Sequence, residues 1–477
     1  MSVVDGRGIA EERRVRADVC VIGTGAGGAP VARALAEAGA RVAVLEDGDR
    51  VPRSALTARP RDMMARLYRD AGQTVTLGRP PIVIPTGRAV GGTTLVNSGT
   101  CFRVPHDVQE CWARELGLEA LGPGSLDAHF AQVERELHVA RVTPELAGRN
   151  ALIARRGAER LGWSGRFIDR NARNCRGSGV CAFGCPTGAK QHTGATYMAW
   201  ADAAGATTYT ATRAAQVVVR DGRARGVLAR TRAGGRLTVD APRVVVAAGA
   251  LHTPALLAAS GIASRQLGRN LSIHPCTAAW APMDEEVDMA RGVPQSYCVD
   301  EFAAEGIMLE GVAGPPDYLA MAVPYLGDRH REVMLAYRRT AQFGLMVRDT
   351  SRGRLLLGRA ARSAGRPLVR YDVNAADLAT IRRGVDRLVE LLRAGGARAV
   401  HAPGRDGLPL KLMAFHPLGT ARAAARPADG VVDADLRVHG VDGVYVADAA
   451  AVPTALGVNP QLTIMALATR LGAALAR

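Results

Sequence analysis

Hydrophobic positions along the chain fall into short unbroken runs separated by helical spacings. Asp18-Val-Cys-Val-Ile22 is an apolar run of strand length, and a run without alternation is what a strand covered on both faces requires. Gly23-Thr-Gly25-Ala-Gly-Gly28 follows. The Ala, Val and Leu spacing of Val31 to Ala38 then predicts a helix, closed by Gly39. Arg41 to Leu45 is a second apolar strand, ending in Glu46. Related patterns return downstream. Ala214 to Val219 and Gly226 to Ala229 read as hairpin strands, and Arg243 to Ala248 as a buried strand closed by Gly249. A helix is expected from Thr253 to Ala259. Gly443 to Asp448 is a further strand ending in an acid, followed by a helix from Gln461 to Ala476. Between Pro275 and Leu412 the pattern changes to short strands, loops and Arg-rich turns. The expected fold class is α/β. A dinucleotide-binding domain is assembled from residues 1–275, with a return at 413–477, around a substrate domain at 276–412.

Composition narrows this picture. The chain has 477 residues, 48% of them hydrophobic and 22% charged, which is ordinary globular usage and excludes disordered or disulfide-stapled classes. A net charge of +16 invites a nucleic-acid reading. Lys190 and Lys411 are the only lysines, the arginines are scattered, and no nucleic-acid motif is present, so that reading is set aside. The first 18 residues carry Asp5, Glu11 and Glu12 among arginines and show no apolar signal region. Val244 to Ala263 is uncharged, but its His252, Pro254, Ser260 and glycines fit a strand and helix rather than a membrane span. Eight cysteines without a signal segment point to a reducing compartment, and a cytoplasmic location is expected.

The glycine turn carries chemistry. Gly23 permits a tight turn, Gly25 lets the backbone approach a pyrophosphate, and Gly28 allows close packing of helix on strand. The helix N-terminus offers amide donors to phosphate. Glu46, 23 residues after Gly23, is placed to accept from ribose hydroxyls.

Four further segments share one likeness. They are Gly91-Gly-Thr-Thr-Leu-Val-Asn97-Ser-Gly99, Ala247-Ala-Gly-Ala-Leu-His-Thr-Pro254, Gly268-Arg-Asn-Leu-Ser-Ile-His274-Pro, and a C-terminal block. That block comprises His416-Pro-Leu-Gly-Thr420, Val431-Val-Asp433, Tyr445-Val-Ala-Asp448 and Gly457-Val-Asn459-Pro460. With the glycine fingerprint they make the chain resemble the glucose-methanol-choline (GMC) flavoprotein oxidoreductases over nearly its whole length. The resemblance implies FAD as cofactor and a Rossmann-type FAD domain joined to a substrate domain with an antiparallel sheet. It implies cofactor contacts at Gly23, Gly25, Gly28, Glu46, Gly92, Thr93, Asn97, Val217, Asp448, Ala449, Asn459 and Pro460. After Thr420 the chain reads Ala-Arg-Ala-Ala instead of the family's Met-Gly continuation. No histidine or cysteine anchor for covalent flavin is identifiable, so non-covalent FAD is expected.

Alcohol oxidation requires a base for the hydroxyl proton and a hydride acceptor, and the cofactor supplies the second. His416 matches the family's active-site histidine, and an imidazole can take and return a proton near neutral pH. Asn459 matches the second member of the pair, holding the substrate oxygen. Asn97 is expected at the flavin edge and Asp448 beside the ribityl or pyrophosphate. Asp433 reads equally as a turn residue, and His274 as structural.

Cys175, Cys181 and Cys185 form C-x5-C-x3-C before Pro186, a spacing that resembles iron–sulfur ligation in some flavin sugar dehydrogenases. The reading preferred is a buried thiol loop with at most one disulfide. Between Ala281 and Ala320 stand nine acids and one base, Arg291. Acids lining a cleft would draw in cations; the alternative is a solvated, ion-paired face. The first reading implies a polyhydroxylated, amino-bearing, sugar-like alcohol of the aminoglycoside-intermediate type. Competing functions are oxidation of neutral sugars or of long-chain or sterol-like alcohols, a non-redox cyanohydrin lyase, and a Rossmann protein without chemistry. The electron acceptor is oxygen or another carrier.

Overall fold

The computed structural model describes residues 3–358, 367–405 and 407–477. Residues 1, 2, 359–366 and 406 lie outside the described residues, and with them small parts of the N-terminal stretch and of the 276–412 block. The four expected buried strands are joined by two further ones, Val3–Asp5 and Thr207–Thr210, in a six-stranded parallel sheet. Its spatial order is Val3–Asp5, Thr207–Thr210, Val42–Leu45, Val19–Ile22, Arg243–Val246 and Val444–Val446. Start, middle and end of the chain thus meet in one sheet. Val19–Ile22, Val42–Leu45 and Val444–Val446 are buried throughout, the physical reason for their unbroken apolar runs. Helix Gly28–Glu37 packs on helix Gln461–Leu475. A Cβ on Gly472 would lie 2.9 Å from that of Ala34, so glycine there permits the close approach. The 28–37 helix begins three residues before the expected Val31, because Gly28 already belongs to its first turn. The hairpin is found as Thr212–Arg220 and Arg223–Thr231, in a four-stranded sheet with Arg236–Asp240 and Glu12–Arg16.

A five-stranded antiparallel sheet has the order Cys276–Pro282, Thr340–Val347, Ile307–Gly311, Tyr297–Val299 and Gly165–Phe167. Its last strand comes from outside 276–412. Helix Ala375–Ala394 lies in a stretch whose pattern predicts short strands, loops and Arg-rich turns instead. Its buried Ile381, Val385, Leu388, Leu391 and Leu392 recur at helical spacing, and the intervening arginines disguised that stripe. Asn374 caps it by accepting from the Asp377 N–H at 2.8 Å.

Pairing register decides which side chains this sheet shows to each side. Glu310 stands opposite Gly344, Gly344 opposite Ala278, and Gln342 opposite Trp280. Alternation therefore puts Trp280, Gln342, Gly344 and Glu310 on one face. Ile307, Leu309, Phe343 and Leu345 occupy the other, buried face, which receives the 375–394 helix. A Cβ on Gly384 of that helix would sit 3.0 Å from Leu345, so the two surfaces meet closely. Among the described residues no helix is long and apolar enough to cross a membrane.

Candidate active site

One cavity of about 930 Å3 runs from the glycine turn to the polar face of the antiparallel sheet. At the first end, Gly23 has φ +102°, and a Cβ there would lie 2.2 Å from the Ala247 carbonyl. A Cβ on Gly28 would lie 2.0 Å from the Gly23 carbonyl. These two glycines close the turn against neighbouring backbone. Gly25 has only the Gly92 Cα, 3.9 Å from where its Cβ would be. Its exposed edge is the open cradle that a pyrophosphate needs. Gly92, at φ +51°, completes the cradle from the opposite loop.

Glu46 lines the cavity and is buried, which raises its carboxyl above the usual range despite bonds from Thr24 and Gly48. Its Oε2 accepts from Thr24 Oγ1 at 2.5 Å, and its Oε1 from the Gly48 N–H at 2.8 Å. A carboxylate keeps further lone pairs for a ribose. Thr24 Oγ1 in turn accepts from the Gly91 N–H at 3.0 Å, coupling the glycine turn to the 91–99 loop. Asp448, buried at the cavity wall, accepts from the Gly249 and Ala450 N–H groups and the Thr253 hydroxyl. It ties the 249–253 turn to its own 448–450 turn beside the cradle. These residues fit FAD: glycines that a Cβ would obstruct, and an acid at each end of the turn.

The other expected contacts divide. Thr93, Ala449 and Pro460 line the cavity. Asn97 lines it too, but its amide is engaged by Gln461 Oε1 and the Gly99 N–H. It ties the 91–99 loop to the 461–475 helix. Val217 does not reach the cavity: its side chain is fully buried in the core and its N–H donates to Ser260 Oγ at 2.8 Å. A bulge falls at Ala215, where the pairing steps from Gln216–Leu228 to Ala214–Ala229. That extra residue re-aims the strand, and Thr212 to Ala215 line the cavity instead. Asp433 accepts from the Asp435 and Arg437 N–H groups and is a turn residue.

His416 and Asn459 both line the far end. Nδ1 of His416 lies 3.3 Å from Nδ1 of His274. His274 does more than fill the core. Its Nε2 accepts from the Leu456 and Gly457 N–H groups at 2.9 and 3.1 Å, so its ring proton sits on Nδ1, facing His416. His416 Nδ1 therefore accepts, and Nε2 is the nitrogen offered to the cavity. Burial lowers His416 to about 4 and holds His274 well below its ordinary value, so both rings are neutral near pH 7.

Glu310 is one of the nine acids between Ala281 and Ala320. The structure separates it from the rest. Asp284, Glu285, Glu286, Asp288, Asp300 and Glu305 each pair with an arginine at the surface, and Glu301 accepts from the Ser164 N–H. The acidic stretch is thus mainly an ion-paired face. Glu310 alone of the nine lines the cavity. Its Oε2 accepts from Asn459 Nδ2 at 3.4 Å, and its Oε1 has no partner. Gln342 Oε1 and Asn459 Oδ1 are also buried acceptors without partners, while Trp280 Nε1 and Gln461 Nε2 are donors without them. Buried polar atoms are ordinarily satisfied, so this group marks where a polar ligand belongs.

The cysteine loop lies behind the 91–99 loop. Cys175 accepts from the Gly177 N–H, Cys181 from Arg170 Nη2 at 3.2 Å, and Cys185 from the Lys190 N–H. All eight cysteines are free thiols, so the loop holds no disulfide. Among the described residues no group of three His, Cys, Asp or Glu is arranged to hold a metal ion. Lys190 is fully buried and donates to the carbonyls of Leu95, Asn97 and Cys181 at 2.6, 2.6 and 2.8 Å. It pins the loop that carries Asn97. Being one of two lysines in an arginine-rich chain was its only sequence signal.

The GMC oxidoreductase family matches the chain at residues 64–276 and 349–468. An uncharacterised GMC-type oxidoreductase of Mycobacterium tuberculosis is 43% identical, over 95% of this chain and 75% of its own length. A long-chain-alcohol oxidase of Arabidopsis thaliana is 27% identical, over 96% of this chain and 68% of its own. A 6'''-hydroxyparomomycin C oxidase of Streptomyces lividus is 28% identical, over 96% of this chain and 91% of its own. With the cradle and the histidine–asparagine end in one cavity, these likenesses agree: the chain belongs to the GMC oxidoreductase family and is an FAD-dependent oxidoreductase.

Proposed function

We propose that the protein oxidises a primary or secondary alcohol of a polyhydroxylated, sugar-like substrate to the carbonyl, with His416 as base. The observation that carries this is the neutral His416 imidazole, held through Nδ1 by His274 and presenting Nε2 to a cavity that begins at a dinucleotide cradle. Residues 1–275 and 413–477 hold the cofactor, non-covalently, and 276–412 shape the substrate end. Bound FAD supplies the hydride acceptor at its N5. The chain's own groups handle the rest. Asn459 holds the alcohol oxygen, and His416 Nε2 takes the hydroxyl proton. At rest the His274 contact leaves the ring proton of His416 on Nε2. Base action therefore requires that proton to move to Nδ1, with a small turn of the ring away from His274. The contact given up is long, and a hydrogen bond is worth on the order of 1 kcal/mol net.

The unpaired oxygens of Glu310, Gln342 and Asn459 favour a substrate rich in hydroxyl donors, in line with the relative named for hydroxyparomomycin. Long-chain alcohols are the second reading, favoured by Tyr318, Met321 and Phe415 along the cavity and by the relative named for such substrates. Anaerobic stopped-flow bleaching of the flavin against sugars, amino sugars, long-chain alcohols and a cyanohydrin separates these readings. Bleaching by hydroxyl-rich compounds is expected. Faster bleaching by long-chain alcohols would reverse the substrate choice, and cyanide release without bleaching would replace oxidation by lysis.

A further inference from the structure

The orphaned acceptors at the substrate end are not equivalent. The amides of Gln342 and Asn459 can turn over and present a donor instead, whereas an ionised carboxylate offers acceptors only. Glu310 is buried on the 307–311 strand with one oxygen unpartnered and the other on a single long bond from Asn459. Among the described residues no arginine or lysine acts on it, and Asn459 and Thr100 are its polar influences; burial pushes its carboxyl up to about 7. Every other acid of the 281–320 stretch has a surface partner or lies outside the cavity. Opposite Glu310 the sheet carries Gly344, where a Cβ would lie 2.6 Å from Val312. The Val312 side chain fills that place, so the wall beside the carboxyl is apolar and supplies no counter-charge. A buried carboxyl without a counter-ion, opening on a cavity, is completed by a cation that brings several N–H donors.

We infer that Glu310 is the anchor for a substrate ammonium group, its carboxylate receiving two N–H donors while the Gln342 or Asn459 oxygen receives the third. This assignment rests on the alcohol-oxidation reading and narrows it: the substrate is an amino alcohol whose amine lies against the antiparallel sheet while its hydroxyl faces His416. Specificity arises because a neutral analogue leaves the carboxyl uncompensated.

The experiment uses the FAD-loaded enzyme at about pH 8 and matched probes: ω-amino alcohols of three to six carbons, the diols of equal length, and hexylammonium. The best amino alcohol is expected to exceed its diol in kcat/KM by about tenfold or more, the scale of one desolvated charge pair. In Glu310→Gln that ratio should fall to about one. Hexylammonium, which cannot be oxidised, should bind to the enzyme by calorimetry and lose most of its affinity in the variant. A wild-type ratio of one or less, a ratio unchanged in Glu310→Gln, or no hexylammonium binding would each overturn the assignment. Failure of every alcohol to bleach the flavin would instead count against alcohol oxidation, and the hexylammonium titration would still judge Glu310 on its own.

Discussion

At the scale of single residues, His416 is defined by what surrounds it. Burial lowers its pKa to about 4, and the N–H of His274 points at the nitrogen where a second proton would go. A base with a depressed pKa stays unprotonated as pH falls. The rate of flavin reduction should therefore hold from pH 8 down to about 5 and drop only near 4, rather than near the ordinary histidine value of ~6.5. A limb near 6.5 in the pH profile would place the base in another, more solvated group. His416→Ala should cut flavin reduction by ~10²-fold or more while FAD stays bound. In His274→Asn the opposing ring N–H is gone, so the acid limb should move upward, with a smaller loss of rate. If the limb stays put, His274 holds only the Leu456–Gly457 turn and does not act on His416.

At the scale of elements, the loop before the 375–394 helix hangs on one carboxylate. Asp377 accepts from the N–H and hydroxyl groups of both Thr350 and Ser351, and its own N–H donates to the cap Asn374. Asp377→Ala leaves those donors unmet and should cost about 3 kcal/mol, since bonds to a charged group contribute 1.5–3 each and are not additive. Urea unfolding measures this, and a loss under about 1 kcal/mol would mean that water replaces the carboxylate. The contrast with the cradle shows what a sequence discloses. The Gly23–Gly28 turn was legible because its function is local: turn, helix start and acid lie within one strand–helix–strand unit. Glu310 was not, since Ile-Met-Leu-Glu-Gly shows an acid in an apolar strand without showing which face the register with 340–347 will turn to the cavity. Val217 was misplaced for a related reason, a bulge at Ala215 that shifts the side-chain alternation. The 375–394 helix had the right spacing all along, but its arginines drew attention away from its apolar stripe. His274 looked structural because its partners, Leu456 and Gly457, are far away in the chain.

At the scale of the whole molecule, buried titratable groups of opposite kinds oppose each other with pH. His252, His274 and His416 are all depressed by burial. Their stabilising contribution is present above the unfolded histidine value of ~6.5 and is lost as pH falls through the lower folded values. Glu310 and Asp349 are raised by burial, to about 7 and about 6. Theirs runs the other way: complete at acid pH, it is lost as pH rises through those folded values. Glu310 is the useful probe because it lies in the cavity, where a binding function accounts for keeping an unfavourable charge. Its shift from 4.5 to about 7 corresponds to a penalty on the order of 3 kcal/mol once the group is fully ionised. Replacing it by an uncharged isostere removes that penalty without opening a cavity. Glu310→Gln should therefore be more stable than the wild type at pH 8 to 9, and the gain should shrink towards zero below about pH 5, where the wild-type carboxyl is protonated. Saturating hexylammonium should close the same gap in the alkaline range by stabilising only the wild type. Thermal melts of the two proteins across this range, with and without the amine, measure both effects. A variant less stable than the wild type at alkaline pH would show that the charged carboxylate is already satisfied inside the protein, leaving no role for an incoming cation.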